Sequence, residues 1–366
     1  VADKPEMKYS SMIAPHVFAG KLLKWYQLHR RDLPWRHTRD PYQIWLSEVI
    51  LQQTRVQQGL PYFLRFLAQY PTVQDLAAAE EQEVLRLWQG LGYYSRARNM
   101  HATAKMIVET YGGQFPDHFQ ALQQLKGVGE YTAAAIATFA FQEKVAVVDG
   151  NVFRVLARVF GIEADIMSGK GKKVFRQLAS SLVPERDADQ YNQAIMEFGA
   201  LHCKPANPDC MFCVFSQECM ARLTSRQGVL PVKTRKVQVK NRYFHYFVIL
   251  YNDKLALKQR VRGDIWQGLY DFPSFETTTP MGYQELKGLF ATELADLPVP
   301  QHISEDFTHQ LTHQKIFARF YHLPVQETSA VEKISKHFVF TLHDFKEVET
   351  LPKPILIHKY LGDFVF

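Results

Sequence analysis

Cysteine is scarce in this chain: four residues among 366, all of them between positions 203 and 219. So few cysteines exclude a disulfide scaffold, and their clustering points to metal. No run is long and apolar enough to cross a bilayer. The first twenty residues lack a charged start leading into an apolar core, so no secretory signal is expected. Those residues are also not Arg-rich, which argues against a transit peptide, and the expected location is cytoplasmic. There is no low-complexity tract and no internal repeat. A strong charge bias is missing too. The formal net charge of +6 is compatible with a polyanionic partner but decides little. What remains is globular in composition, 46% hydrophobic and 22% charged, with a length that suits two or three domains.

From about Ala14 to Ser225 the pattern is helical almost throughout. Turn signals fall at 39–41, 70–72, 111–113 and 126–129, and Asp75, Pro116-Asp117 and Asp149 read as helix starts. From Tyr243 the texture changes to β-branched and aromatic runs, YFHYFVILY (243–251) and KIFARFYHL (315–323), which read as strands. Between them lies a basic, polar stretch in which Leu230-Pro231 cannot continue a helix. The expected organisation is an all-α region over 1–225, a linker over 226–240 and an α+β domain over 241–366.

The cysteines Cys203, Cys210, Cys213 and Cys219 follow the spacing C-x6-C-x2-C-x5-C. An iron–sulfur cluster and a structural zinc ion both use such thiolates. Zinc sites favour paired C-x2-C units, and only one pair is present, so the spacing leans toward iron–sulfur while leaving zinc open. The run FQALQQLKGVGEYTAAAIATFAF (119–141) reads as helix, tight turn, helix. Gly127 and Gly129 permit a sharp hairpin with N–H groups free to face an anion, for which a DNA phosphate is suited. Within PYQIWLSEVILQQT (41–54), Ile44, Glu48 and Leu51 share one helical face. That places a carboxyl on a buried stripe, where desolvation raises its pKa toward that of a general acid. A glutamate bridged to arginine would occupy the same position. Asp149 follows the apolar run 145–148 and precedes a helical pattern, so Asp149 or Asn151 can cap that helix. An ionised Asp149 facing a cationic transition state is compatible with capping, and two such carboxyls divide labour as in glycoside hydrolysis.

The longer segments carry a specific resemblance. RRDLPWR (30–36), WLSEVILQQTRV (45–56), WQGLGYYSRARN (88–99), LKGVGEYTAAAI (125–136), VVDGNVFRVLAR (147–158) and the cysteine loop resemble the MutY-type adenine DNA glycosylases of the endonuclease III, helix–hairpin–helix superfamily. The resemblance implies a six-helix module near 31–141, an iron–sulfur lobe from about 1–30 and 142–225, and a [4Fe–4S] cluster on the four cysteines. It implies a base-excision repair enzyme that flips adenine out of a duplex and hydrolyses its N-glycosidic bond where it is mispaired with 8-oxoguanine or guanine. Glu48 would protonate the leaving purine and Asp149 would face the sugar, with Tyr131 and Asn151 around both. Arg31, Leu33, Trp35, Val56, Gln193 and Glu197 would line the adenine pocket. Arg36, Gln53, Thr54, Leu91, Tyr93, Gly127, Gly129 and Lys204 would meet DNA. Family members that also cut the backbone carry a lysine where this chain has Tyr131, so a Schiff base is not expected there.

The stretch GDIWQGLYDFPSFE (263–276) resembles the start of a Nudix-like fold. The following region, 283–297, lacks the paired glutamates of a working Nudix hydrolase, so a binding domain is expected. The family reads 8-oxoguanine through a His-x-Phe-Ser-His loop. Its best match is His309-Gln310-Leu311-Thr312-His313, which assigns His309, Thr312 and His313 to the lesion; Phe307-Thr308-His309 is a competing register. Two other readings stand beside this one: a bifunctional glycosylase/lyase for oxidised pyrimidines, and a non-catalytic DNA-binding protein. The expected partner is double-stranded DNA, bound by a monomer away from membranes.

Overall fold

The structure is a computed structural model that describes residues 13–234, 239–261, 263–295 and 297–364. Residues 1–12 of the expected cluster lobe, 235–238 of the linker and 262, 296, 365 and 366 of the C-terminal domain lie outside the described residues. By packing, the chain forms two units. One comprises the described residues of Val1–Ala77 and Ala102–Arg235, the other those of Ala78–His101 and Lys236–Phe366. Residues 78–101 thus go with the C-terminal region. Arg98 donates to the Gln267 carbonyl at 2.7 Å, and Gln89 Oε1 accepts from the Lys353 amide at 3.1 Å.

The first unit is helical. Its helix Pro41–Leu51 starts where Asp40 accepts the Tyr42 amide at 2.9 Å and Pro41 supplies the first helical residue, a start that needs no donor from proline. The sequence predicts one buried stripe here, yet Tyr42, Ile44–Ile50 and so nearly every face is buried. The reason is its neighbour, the helix Glu130–Phe141. Ala133, Ala134, Ala135 and Ala137 are small enough to bring the two helix backbones together. A second core joins helices Pro15–His29, Gly150–Phe160, Gly169–Leu182 and Ala188–Leu201 around Phe18, Leu156, Phe175, Tyr191 and Phe198.

Asp75 lies in the first turn of helix Val73–Ala78 and accepts the Thr72 amide at 2.9 Å, while Thr72 Oγ1 accepts the Asp75 amide at 3.2 Å. The start is therefore Thr72, three residues before the expected one, with Asp75 closing a reciprocal cap. The extended run 145–148 is held by buried Asn192. Its Oδ1 accepts the Val147 amide at 3.0 Å, and its Nδ2 donates to the Val145 carbonyl at 2.8 Å. That clamp delivers Asp149 to the start of helix Gly150–Phe160.

The second unit contains a mixed sheet of eight strands among the described residues. These are β1 (Lys240–Tyr251), β2 (Lys254–Gln259), β3 (Tyr270–Asp271), β4 (Ser274–Thr277), β5 (His302–Ile303), β6 (Phe307–Gln310), β7 (Gln314–Pro324) and β8 (Thr341–Asp344). β1 runs parallel to β7 from Lys240 opposite Gln314 to Leu250 opposite Pro324, while β2 and β4 pair antiparallel with β1. β1 is buried on both faces over 244–249, as a covered parallel strand should be. Phe247 and Ile249 meet Leu286, Leu294 and Ile334 on one side. Phe320, the neighbour of Tyr246 on the other side, stacks on Tyr360 of helix Ile355–Phe364.

Candidate active site

The close helix pair puts Tyr131, in the first turn of Glu130–Phe141, opposite Glu48. The Tyr131 hydroxyl donates to Glu48 Oε2 at 2.7 Å. Glu48 is 7% exposed. Burial raises its pKa to about 7, opposed by the Tyr131 hydrogen bond and added to by the Asp149 charge. Glu48 is therefore not the arginine-bridged glutamate that its position alone also allowed. Asp149 caps the next helix, accepting the Val152 amide on Oδ1 at 2.8 Å and the Asn151 side-chain amide on Oδ2 at 2.7 Å. Burial pushes Asp149 up as well, and those donors oppose it. Two N–H donors favour the ionised form more than one hydroxyl does. Of the two carboxyls, Glu48 is the one suited to carry a proton near neutral pH.

Both carboxyls, Tyr131 and Asn151 line one cavity of about 530 Å³, together with Arg31, Leu33, Trp35, Val56, Gln193 and Glu197. All ten side chains expected at the reaction centre and base pocket thus meet in one place, despite spanning positions 31–197. Glu197 is 1% exposed and held by two guanidinium groups. Arg31 Nε and Nη2 reach it at 2.9 and 2.6 Å, and Arg36 Nη1 and Nη2 at 3.0 and 2.8 Å. Burial alone would raise its pKa, but these bonds bring it down to about 2, so it stays ionised. Arg36, expected at DNA, bonds here to Glu197 and donates to the Arg31 carbonyl at 2.9 Å.

The other expected DNA contacts lie on turns. Gln53 is exposed with φ 56°, beside half-buried Thr54. In the 123–129 hairpin, Gly127 has φ 75°, which a side chain resists. Gly129 precedes helix Glu130–Phe141 with φ −80°, and a Cβ there would meet nothing within 4 Å. Glycine there relieves neither backbone strain nor a close contact. Lys204 is exposed beside Cys203.

The helix Gly150–Phe160 joins the carboxyl site to the cysteine loop. Arg154 donates to Asn151 Oδ1 at 2.8 Å, to the Gly199 carbonyl at 2.7 Å and to the Cys203 carbonyl at 2.7 Å. One turn later, Arg158 donates to Cys203 Sγ at 3.5 Å and to the Lys204 and Pro205 carbonyls at 2.7 and 3.0 Å. Gly199 is required by the crossing of this helix with Ala188–Leu201, since a Cβ would stand 2.7 Å from Asn151 Cβ. Neither arginine was singled out from the sequence. Their i, i+4 spacing on a helix leading to a cysteine loop is the signal that could have found them.

The four cysteines form no disulfide, and Cys203, Cys213 and Cys219 are each pushed up by burial and further by at least one neighbouring cysteine. Burial, with the neighbouring thiols adding to it, pushes Cys213 up to about 12 against a backbone donor from Phe215. Among the described residues, no group of three or more His, Cys, Asp or Glu side chains is placed to hold a metal ion as it stands. The donor set still fits a cluster, since four thiols share one loop and Cys203 and Cys213 accept N–H donors from Arg158 and Phe215. Such thiols become thiolates only beside cationic metal.

In the second unit, Thr312 and His313 are exposed at the turn between β6 and β7, and half-buried His309 lies on β6. The competing segment Phe307–His309 is wholly strand. His309, Thr312 and His313, with Leu91, Tyr93 and Trp266, line a cavity of about 560 Å³. The Tyr93 and Thr312 hydroxyls are hydrogen-bonded, and the Trp266 ring lies 5.9 Å from that of His309. In the region expected to lack a hydrolase helix, Glu285 is occupied as a cap on the Gly282 amide at 2.7 Å.

Residues 46–185 match the HhH-GPD superfamily of base excision DNA repair proteins, and residues 245–362 match a NUDIX domain. An adenine DNA glycosylase of Buchnera aphidicola subsp. Baizongia pistaciae is 30% identical over 341 residues, covering 93% of this chain and 95% of that protein. The human adenine DNA glycosylase is 46% identical over 222 residues, covering 58% of this chain and 41% of its own length. Among solved structures, a thermostable thymine-DNA glycosylase superposes with a TM-score of 0.54 at 32% identity, covering 59% of this chain and 99% of that one. An endonuclease III in a non-covalent DNA complex, 22% identical with a TM-score of 0.50, covers 58% of this chain and 98% of its own and shares the fold. Near-full-length similarity, the two domain matches and the cavity between the carboxyl-bearing helices agree: the chain belongs to the adenine DNA glycosylase family.

Proposed function

We propose that this enzyme hydrolyses the N-glycosidic bond of adenine mispaired with 8-oxoguanine or guanine in double-stranded DNA, acting as a monofunctional glycosylase and as a monomer. The observation that carries the reading is one cavity holding a carboxyl with a pKa of about 7, a second carboxyl with two N–H donors, and a tyrosine. Protonated Glu48 gives its proton to a nitrogen of the purine as the C1′–N bond breaks, so adenine leaves neutral. Ionised Asp149 faces the positive charge that develops on the sugar. The Glu48 carboxylate then accepts a proton from the water that adds to C1′, which restores the acid and completes the hydrolysis. Tyr131 offers a hydroxyl and no amine, so the reaction ends without a covalent adduct at that position.

The base must leave the stack to enter this cavity, whose Trp35, Gln193 and Arg31–Glu197 walls offer an aromatic face and polar edges. Gln53, Thr54, Leu91, Tyr93 and the 127–129 hairpin are proposed to meet the duplex, and Thr312, His313 and His309 to read the base opposite adenine. Cys203, Cys210, Cys213 and Cys219 are proposed to hold a [4Fe–4S] cluster. The cluster would supply a rigid, charged anchor for the loop that presents Lys204 to phosphate. A cytoplasmic, DNA-associated location follows as part of the same proposal.

Single-turnover base release on three duplexes tests the reading: adenine opposite 8-oxoguanine, adenine opposite guanine, and thymine glycol. Release of adenine from the first two, with no strand cleavage and no borohydride-trapped adduct, is the expected result. Processing of thymine glycol alone would overturn it.

A further inference from the structure

Tyr26 stands outside the base cavity but bonds to Gln193 in its wall, although nothing in its sequence context marks it. It sits on helix Pro15–His29 and is 3% exposed. Its hydroxyl donates to Gln193 Oε1 at 2.5 Å, and the Arg36 guanidinium lies over its ring, 5.7 Å from the centroid. Burial holds its pKa above the usual value, so the hydroxyl keeps its proton and can donate. Gln193 lines the base cavity and also a second cavity of about 480 Å³ behind it, to which Tyr26 and Arg36 contribute as well. The amide therefore stands in a wall with room on either side. Its Nε2 meets no acceptor among the described residues, while its oxygen is taken by Tyr26.

We infer that Tyr26 is a positioning residue that fixes the Gln193 amide with its N–H donors available to the ring nitrogens of the bound base. An untethered glutamine presents either its oxygen or its nitrogen, since a turn about its last bond exchanges them. Adenine carries several acceptor nitrogens, and an oxygen presented to one of them repels it. With Oε1 held by a donor, only the amide hydrogens are left to point at the base, and the rotamer freedom that binding would otherwise remove is already gone. The same side chain backs Arg36, which with Arg31 holds Glu197. One tyrosine thus supports both polar edges of the pocket. The inference rests on the reading of Gln193 as a wall of the adenine pocket.

The test is a double-mutant cycle on the full chain, with single-turnover adenine release and duplex affinity measured separately. Tyr26→Phe keeps the ring and its contact with Arg36 and removes only the tether. It should slow release by about tenfold, the worth of one hydrogen bond, leave duplex affinity unchanged and lower thermal stability by no more than that one bond. Gln193→Ala should be at least as slow. The double variant should match Gln193→Ala within about twofold, because a tether has no effect once its amide is gone. Release by Tyr26→Phe at the wild-type rate would overturn the inference, as would losses that multiply fully in the double variant. Gln193→Ala acting at the wild-type rate would instead strike the pocket reading itself.

Discussion

Replacing Glu48 with glutamine should remove activity and strengthen the fold, and the two effects have one physical cause. The carboxyl is buried in a closely packed helix pair, and desolvation moves its pKa from 4.5 to about 7. Ionising it in the folded protein therefore costs about 3 kcal/mol more than in the unfolded chain. Because the folded pKa is the higher one, this stability is fully present below pH 4.5 and is lost as the pH rises through 7. Glutamine keeps an acceptor for Tyr131 and never ionises, so Glu48→Gln should be more stable than wild type by up to about 3 kcal/mol at pH 8 and equal to it near pH 4.5. The same substitution should lower single-turnover excision by at least about a thousandfold, the scale of a lost general acid, while duplex binding persists. Wild-type excision should fall as the pH rises through about 7 and fall again at acid pH as Asp149 takes up its proton. Urea unfolding of both proteins from pH 4.5 to 8.5, alongside excision profiles, reads all of these. A variant less stable than wild type at pH 8, or a wild-type rate flat from pH 6 to 9, would refute the reasoning.

Three further outcomes follow from the geometry. Gly199→Ala forces a Cβ to 2.7 Å from Asn151 Cβ, so it should destabilise by about 1–3 kcal/mol and slow excision more than it weakens DNA binding; an unchanged rate would mean Asn151 can move without consequence. Arg154→Gln strips its donors from the Gly199 and Cys203 carbonyls and from Asn151, which should cost about 2 kcal/mol and reduce excision, as chemical unfolding and base release would record. Purified protein should be yellow-brown with about four irons per chain, and Cys213→Ala should lose most of that iron; a colourless protein carrying zinc would reject the cluster.

Some of the site was legible because it is local. The spacing of Ile44, Glu48 and Leu51 places a carboxyl on a buried helix face, and Asp149 before a helical pattern announces a cap. Both inferences need only the period of a helix and the orphan amides at its start. The family resemblance supplied the rest of the pocket residues, and the described fold brings all of them to one cavity. What stayed hidden was each interaction between groups far apart in the chain. Nothing within RRDLPWR shows that Arg36 holds Glu197, 161 residues later. Nothing in the sequence around Tyr26 marks the hydroxyl that meets Gln193, 167 residues later. Residues 78–101 read as part of the helical module, and nothing local in them shows that Gln89 and Arg98 also bond to segments beyond 260.

By itself, then, the sequence determined the element types, the cysteine loop and the place of Glu48 on a buried helix face, because periodicity, capping and spacing are written in neighbouring residues. Tertiary structure alone decided that Glu48 meets Tyr131 rather than an arginine, that Glu197 binds two guanidinium groups, and that Gly199 must lack a side chain. Those outcomes depend on how closely the alanine-rich helix Glu130–Phe141 and the helix Ala188–Leu201 approach their partners, and no local pattern encodes a crossing distance.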